Sequence, residues 1–248
     1  MIKVNGNFDD AFTKSLEAAK HVGSYTVNSV NPFRIEGQKT IPFRALEFLN
    51  WDVPDWIVYP GGALGNTSSC GKSLMELHKW GWIKKIPRIA VINAEGANTL
   101  YQLYNGKFEG EELRWNNGMP NLELVEKYYK RMSEDKKLKP KTKATAIQIG
   151  KPANMTKGLR ALEYSDGVVI QVSDKEMLDG MSAVGLNGFD CEMASGATVA
   201  GIKKLLDSEV IKKDDKIVGI LTGRQKEPML PIEYHNDPNN KFAIPPKS

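Results

Sequence analysis

The chain has 248 residues, of which 41% are hydrophobic and 26% charged, and this length and composition are typical of a globular protein with one large or two small domains. Its 34 basic and 30 acidic residues leave a net charge of +4, which gives little support for a polyanionic partner. The composition excludes a collagen, a coiled coil and a wholly disordered chain, and no stretch approaches the roughly 18 apolar residues of a membrane-spanning helix.

Patterns of strands and helices alternate along the chain. Apolar residues at helical spacing predict helices over 9–21, 40–49, 69–80 and 122–132, from 177 onward, and over 197–206. Short apolar or β-rich runs predict strands over 24–30, 56–59, 88–93, 144–149, 167–172 and 216–221. Residues 105–121 and the tail from about 231 are expected to be irregular. This alternation indicates an α/β fold, a three-layer arrangement with a mostly parallel sheet covered by helices.

Several residue types argue against other classes of site. The basic residues cluster in one segment, Lys130, Arg131, Lys136, Lys137, Lys139, Lys141 and Lys143. Acidic residues interrupt this run and no aromatic residue follows in its second half, which favours a solvated linker over a nucleic-acid-binding surface. Cys70 and Cys191 lie far apart, so neither a disulfide framework nor a metal site is expected, and a reducing, cytoplasmic setting fits best. The histidines share no motif with cysteine or aspartate that would indicate a hydrolase.

A glycine-rich loop, Pro60-Gly61-Gly62-Ala63-Leu64-Gly65-Asn66, lies between the strand predicted over 56–59 and the next helix. Glycines let the backbone turn tightly and let several N–H groups approach one anion, and the helix N-terminus adds a partial positive charge. A phosphate is the natural ligand of such a loop. The alternative is a glycine-rich turn without a ligand, since the loop matches neither a P-loop nor a dinucleotide-binding fingerprint.

Two further segments carry groups that suit an anionic or polar ligand. Asn28 and Ser29 lie close in sequence to Arg34, whose planar guanidinium suits a carboxylate or a phosphate. The alternative for this segment is a capped turn with a surface arginine. Thr222 follows the apolar run 217–221, so its hydroxyl is expected at the C-terminal end of a parallel strand, where open α/β sheets bind ligands. The alternative is a threonine that simply ends a strand before a glycine turn.

Taken in order, these segments resemble the C-terminal portion of the threonine synthases, which are pyridoxal-phosphate enzymes of fold type II. The resemblance rests on NGNFDDA at 5–11, NSVNPFRIEGQKT at 28–40, the loop at 61–66, PR at 87–88, AEGAN at 94–98, AIQIGKP at 146–152, CEMASGATVAGIKKL at 191–205 and TG at 222–223. Each piece is weak alone, but the ordered set is hard to obtain by chance. The NSVNPFR segment also separates the chain from cysteine synthases and serine dehydratases of the same fold.

The resemblance implies roles for the candidate residues. The backbone that would hold the phosphate of pyridoxal 5'-phosphate belongs to Gly61, Gly62, Ala63, Leu64, Gly65 and Asn66. Thr222 would face the pyridine nitrogen of that cofactor. Asn28, Ser29 and Arg34 would hold the phosphate of the substrate, with Asn66 nearby. The implied reaction, a step of threonine biosynthesis, converts O-phospho-L-homoserine and water to L-threonine and phosphate.

One part of the family pattern is not found in this chain. The family's cofactor-binding lysine lies in an N-terminal Phe-Lys-Asp-Arg-like segment, whereas Lys39 and Lys72 here belong to other segments. We therefore identify no catalytic lysine and expect a partial chain that needs an N-terminal half in trans, because that lysine is both the cofactor tether and the expected base. The resemblance assigns residues 1–35 to the end of the small domain and 36–248 to the large cofactor-binding domain.

Alternatives to a threonine synthase remain open from the sequence. The chain is also compatible with a non-catalytic remnant that binds pyridoxal phosphate or a phosphorylated metabolite, and with another fold type II amino-acid lyase. A homodimer is compatible with the resemblance, and neither a nucleic acid nor a membrane is expected as a partner.

Overall fold

The computed structural model describes residues 8–112, 121–135 and 139–224, and its elements lie within these ranges. The helices are α1 (Phe8–Val22), α2 (Pro32–Gln38), α3 (Thr40–Phe48), α4 (Gly65–Lys79), α5 (Thr99–Asn105), α6 (Leu122–Glu134), α7 (Met155–Tyr164), α8 (Asp174–Leu186) and α9 (Met193–Asp207). The strands are β1 (Trp56–Pro60), β2 (Arg88–Ala94), β3 (Lys107–Phe108), β4 (Glu111–Glu112), β5 (Val168–Val172) and β6 (Ile217–Gly219).

Four strands form one parallel sheet in the order β5-β2-β1-β6. β1 is paired on both sides, so that Ile57 lies opposite Ile89 of β2 and Val218 of β6. Every residue of β1 is buried, as is every residue of β2 after Arg88. Continuous burial explains why these strands read as unbroken apolar runs in the sequence, since a parallel sheet is covered on both faces. β3 and β4 form a separate antiparallel pair.

Alternate residues of the strands face two different hydrophobic clusters. Ile57 and Tyr59 of β1 pack in one cluster with side chains of α4 and α7, including Leu74 and Leu159. Trp56 and its even-numbered neighbours pack in the other cluster with side chains of α8 and α9. Because side chains of a strand point alternately to its two faces, these clusters are the two interfaces of a helix–sheet–helix sandwich. The predicted three-layer α/β fold is confirmed.

Two predicted strands are wrong, and in both places side-chain hydrogen bonds favour a turn. Residues 24–27 are irregular and the chain turns at 28–30, where Asn28 Oδ1 accepts from the Val30 N–H at 3.2 Å and Asn31 Nδ2 donates to the Thr26 carbonyl at 2.8 Å. The segment 144–149 contains a single 3-10 turn, Thr145–Ile147, preceded by a bond from the Ala144 N–H to Thr142 Oγ1. Such local bonds compete with the hydrogen-bond ladder of a sheet.

The helix α7 was not predicted from the sequence, and it packs closely on α4. An ideal Cβ placed at Gly71 of α4 would overlap the Cβ of Ala161 and lie 2.8 Å from its Cα. The missing side chain at residue 71 therefore lets the two helices approach. This contact brings the first turn of α7 next to the loop that precedes α4.

Other sequence predictions have different outcomes. The segment 105–121 was expected to be irregular, but its described part contains the paired strands β3 and β4. The expected tail from 231 lies outside the described residues. The expected domain boundary near residue 35 falls inside α2, and the division into domains stays a prediction. In the described ranges, no helix has the length and apolar character needed to cross a membrane.

The contact between α4 and α7 predicts a difference between two glycine substitutions. Gly71→Ala should lower the free energy of unfolding by about 1–3 kcal/mol, because the added methyl group overpacks the interface with Ala161. Gly185→Ala on α8 is the matched control, since no atom lies within 4 Å of an ideal Cβ there. That control should be neutral or stabilising by about 1 kcal/mol or less through helix propensity. Urea denaturation of both variants measures the difference, and equal effects would contradict the described packing.

Candidate functional site

A cavity of about 300 Å³ opens at the C-terminal ends of β1 and β6. Apart from Gly61, all the predicted site residues line it: Asn28, Ser29, Arg34, Gly62, Ala63, Leu64, Gly65, Asn66 and Thr222. Gly61 lies just outside the lining, where its N–H donates to the Ile92 carbonyl at 2.7 Å. An ideal Cβ at Gly61 would lie 2.8 Å from Val91 Cγ1, so the strand neighbour leaves room only for glycine. The structure thus brings distant sequence segments to one cavity.

The glycine loop presents free backbone N–H groups to this cavity. Leu64 has a φ of +62°, in the left-handed region, and α4 begins at the next residue. Within the described part of the chain, the N–H groups of residues 62–67 have no hydrogen-bond acceptor. Three of these groups belong to the first turn of α4, a helix of 15 residues whose dipole adds a partial positive charge. The loop therefore has the geometry of an anion-binding site.

Buried polar atoms without a partner line the same cavity. Asn66 Oδ1, Thr67 Oγ1 and Gln38 Oε1 are all buried, and none has a hydrogen-bond partner among the described residues. Buried polar groups are normally hydrogen-bonded, so a cluster of unpartnered ones indicates a place where a polar ligand completes the bonding. Gln38 and Thr67 were not among the predicted site residues. Thr67 directly follows Asn66 and Gln38 lies within the 28–40 segment, but nothing in the local sequence distinguishes either side chain as a ligand-binding group.

The segment 28–34 is both a capped turn and part of the cavity wall. Asn31 caps α2, since its Oδ1 accepts from the Phe33 N–H at 2.9 Å. Ser29 is buried, whereas Arg34 is exposed and lines the cavity. In the described ranges, no carboxylate forms an ion pair with Arg34. Its guanidinium is therefore free to bind an anion that enters the cavity.

Thr222 lies at the other side of the cavity, against the N-terminus of α9. Its Oγ1 is 3.3 Å from Glu192 Oε1 and 3.4 Å from Ser195 Oγ. The segment is fixed by backbone bonds, because the Glu192 N–H donates to the Gly223 carbonyl at 3.0 Å and the Gly223 N–H donates to Ser195 Oγ at 3.2 Å. Glu192 also lines the cavity. Its carboxylate was not predicted, because only the fold brings it next to Thr222.

The cysteines and the acidic groups do not form a nucleophilic or metal centre in the described part of the chain. Burial raises the pKa of the Cys70 thiol to about 12. Burial, together with the negative charges of Asp190 and Glu192, raises the pKa of the Cys191 thiol to about 11. Both thiols are therefore protonated near neutral pH and are poor nucleophiles. Among the residues described, no group of three or more His, Cys, Asp or Glu side chains could hold a metal ion.

Comparisons with known sequences agree with the resemblance noted above. The chain matches the family model described as pyridoxal-phosphate dependent enzyme over residues 1–223. It is 36% identical over 241 residues to the threonine synthase of Methanocaldococcus jannaschii, covering 96% of this chain and 54% of that protein. It is 35% identical over 240 residues to the threonine synthase of Methanosarcina acetivorans, again covering 96% and 54%. The chain thus spans about half the length of the curated relatives it matches.

Solved structures share the fold at low sequence identity. The processed form of threonine deaminase isoform 2 from Solanum lycopersicum has a TM-score of 0.64 at 16% identity, covering 91% of this chain and 53% of that chain. Maize serine racemase has a TM-score of 0.63 at 16% identity, covering 94% of this chain and 62% of that chain. At such identities the likeness concerns the fold alone.

The loop geometry predicts that inorganic phosphate stabilises the folded chain. A ligand that binds only the folded state stabilises it by RT ln(1 + L/Kd), where L is the free ligand concentration, so the melting temperature rises with the ligand concentration. Asn66→Asp, an isosteric change that places a negative charge beside the free N–H groups, should weaken phosphate binding about tenfold or more. Asn50→Asp adds the same charge before β1, at the opposite edge of the sheet, and should leave phosphate binding unchanged. Thermal melts at increasing phosphate concentration measure both, and equal phosphate dependence would contradict an anion site in this loop.

Proposed function

This chain belongs to the pyridoxal-phosphate-dependent enzyme family, and we propose that it forms the cofactor- and substrate-binding part of a threonine synthase. The proposed reaction converts O-phospho-L-homoserine and water to L-threonine and phosphate. The observation that carries the proposal is the glycine loop, whose free N–H groups and helix N-terminus face the same cavity as an unpaired arginine. Two separate anion-binding segments suit a cofactor phosphate and a substrate phosphate.

The loop fits the phosphate of pyridoxal 5'-phosphate. Free N–H groups at residues 62–67 would donate to its oxygens, and the unpartnered Thr67 hydroxyl lies in the same turn of α4. An ideal Cβ at Gly62 would lie 3.2 Å from the Ala146 carbonyl oxygen and from Ile147 Cγ2, so the opposite wall approaches the loop closely. A side chain at residue 62 would therefore narrow the space for the cofactor.

Thr222 would contact the pyridine nitrogen of the bound cofactor through its hydroxyl. When bound, the cofactor supplies an electron sink that stabilises negative charge developing on the carbon skeleton of the amino acid. The Thr222 hydroxyl lies within 3.3 Å of a Glu192 carboxylate oxygen, which orients it by accepting its proton in a hydrogen bond. A hydroxyl has one proton to donate, so on cofactor binding it would turn from Glu192 to donate to the pyridine nitrogen, which is an acceptor.

Asn28, Ser29 and Arg34 would bind the substrate phosphate. An arginine offers two parallel N–H donors to a phosphate, and here no carboxylate of the described residues competes for them. These residues would hold the phosphate group before and after it leaves the substrate, and would thereby orient the carbon–oxygen bond that breaks. They would also neutralise the charge that accumulates on the leaving group.

The lysine that tethers the cofactor would come from polypeptide outside these 248 residues, either continuous with them or supplied as a separate half. In the described ranges, the cavity lining contains no lysine. The resemblance places that lysine in an N-terminal segment that has no counterpart here. The chain by itself is therefore proposed to bind the cofactor without completing turnover.

Cofactor binding tests the role of the loop on the chain alone. Isothermal titration should show that pyridoxal 5'-phosphate binds at least about tenfold more tightly than pyridoxal, because the charge-assisted bonds to the phosphate are lost with pyridoxal. Borohydride reduction should attach no cofactor to any single lysine. Equal affinity for the two compounds, or a specific reduced adduct, would contradict this part of the proposal.

Arg34 provides the test of substrate chemistry. In a mixture of this chain with an N-terminal half that carries the lysine segment, phosphate release from O-phospho-L-homoserine should appear. Arg34→Met should then lower kcat/KM about 10- to 100-fold, the loss expected for a charge-assisted phosphate contact. Arg44→Met is the matched control, since Arg44 is exposed on α3 and pairs with Glu47 at 3.7 Å. Absence of phosphate release from the folded pair, or equal effects of the two variants, would contradict the proposed reaction.

A further inference from the structure

The side chain of Asn154 joins the two anion-binding segments from outside the cavity. Its Nδ2 donates to the Ser29 carbonyl at 2.9 Å and to the Ala63 carbonyl at 3.3 Å. Its backbone N–H also donates to the Ala63 carbonyl, at 3.1 Å. Asn154 is only 3% exposed and does not line the cavity, so its contacts are with the segments rather than with a ligand.

The Ala63 carbonyl belongs to the peptide group that precedes the left-handed residue of the loop. Leu64, with its φ of +62°, needs support from its surroundings, because this conformation is unfavourable for a branched side chain. Gly158 of α7 packs directly against the Leu64 side chain and supplies part of that support. An ideal Cβ at residue 158 would lie only 3.1 Å from Leu64 Cδ1, so the close contact depends on glycine. The first turns of α7 therefore contact the loop on both sides of this peptide group. The direction of the free N–H groups depends on those contacts.

Ion pairs also connect the helices that follow the two segments. Lys39 forms an ion pair with Glu76, and Lys72 forms one with Glu36, so that α2 and the residue after it are tied to α4. Ion pairs with solvent access are weakened by salt and by side-chain motion. The bond from Asn154 to Ser29 is buried and the one to Ala63 is part-buried, so water has little access to them. Asn154 is thus a buried amide whose side chain bonds both segments.

We propose that Asn154 is a positioning residue that couples the two anion sites. Binding of a phosphate to the glycine loop fixes the Ala63 carbonyl, and the shared amide then fixes the Ser29 carbonyl in the segment that includes Arg34. The second anion meets a segment that is already ordered and therefore binds more tightly. The effect is reciprocal, so each ligand raises the affinity for the other by the same factor. The identity of the two anions rests on the proposed function.

The coupling is measured as a ratio of two dissociation constants. Pyridoxal 5'-phosphate is titrated into the full chain with and without saturating 4-(phosphonooxy)butanoate, which is the proposed substrate without its amino group and cannot react with the cofactor aldehyde. In the unmodified chain the analogue should tighten cofactor binding about fivefold. In Asn154→Asp, which keeps the size of the side chain but removes its donors, the ratio should fall to about one. Asn154→Ala also removes the donors but adds no charge. It is used for the same measurement if the Asn154→Asp variant does not fold.

Asn105→Asp is the control for the loss of a side-chain amide bond, here a part-buried one away from the cavity. The Asn105 Nδ2 donates to the Val169 carbonyl at 2.9 Å, between α5 and β5, and its loss should leave the ratio unchanged. A purely structural role for Asn154 would lower the melting temperature of its variants without changing the ratio, and this result overturns the inference. A ratio of one in the unmodified chain, with both ligands bound, also overturns the coupling but leaves the proposed function intact. Failure of the unmodified chain to bind either ligand overturns both.

Discussion

The parallel pairing of β1 between β2 and β6 is the constraint on which the cavity depends. β1 pairs with β2 along its whole length and with β6 over Trp56–Val58, so its C-terminal end, Pro60, has a fixed position from which the glycine loop starts. β6 runs in the same direction, and the Ile220 N–H continues the pairing by donating to the Val58 carbonyl at 3.0 Å. The loop and Thr222 consequently leave the sheet at the same edge. Neighbouring strands in a parallel sheet bring the residues that follow them together, whatever their separation in sequence.

Helices cover both faces of the sheet, and two of them begin at the C-terminal ends of the strands. α4 begins at Gly65 on one face and α9 begins at Met193 on the other, and residues from both first turns line the cavity. Their partial positive charges favour anions in the space between them. Glu192 is an exception to this electrostatic pattern, because its carboxylate is negatively charged. It lies beside Thr222, so the cavity has a negatively charged side there and a side that suits phosphate at the glycine loop. The cavity is thus electrostatically uneven, as a site that orients a ligand requires.

The parts of this arrangement that the sequence predicted are those encoded locally. β1 and β2 were predicted because burial on both faces produces continuous apolar runs, and β5 was predicted from its apolar run although it is only partly buried. The glycine loop was predicted from its glycine-rich sequence between a strand and a helix. The strands predicted over 24–30 and 144–149 were wrong because Asn28, Asn31 and Thr142 bond to the nearby backbone. Asn154 was missed for a different reason. Its contacts reach residues 125 and 91 positions away, and no local pattern records such contacts.

The position of β6 in the sheet has a consequence for the order in which the molecule assembles. Asp55 and Lys216 are joined by a hydrogen bond across 161 positions of sequence, so this edge of the sheet closes a very long chain loop. Contacts between distant residues form late and slowly in folding, because the entropy of loop closure is lost before the contact is gained. The α4–β2 part can form early from local contacts, whereas Thr222 reaches the cavity only after β6 has docked. A complete ligand site therefore exists only in molecules in which β6 has docked, and the fraction of molecules able to bind ligand reports on that docking.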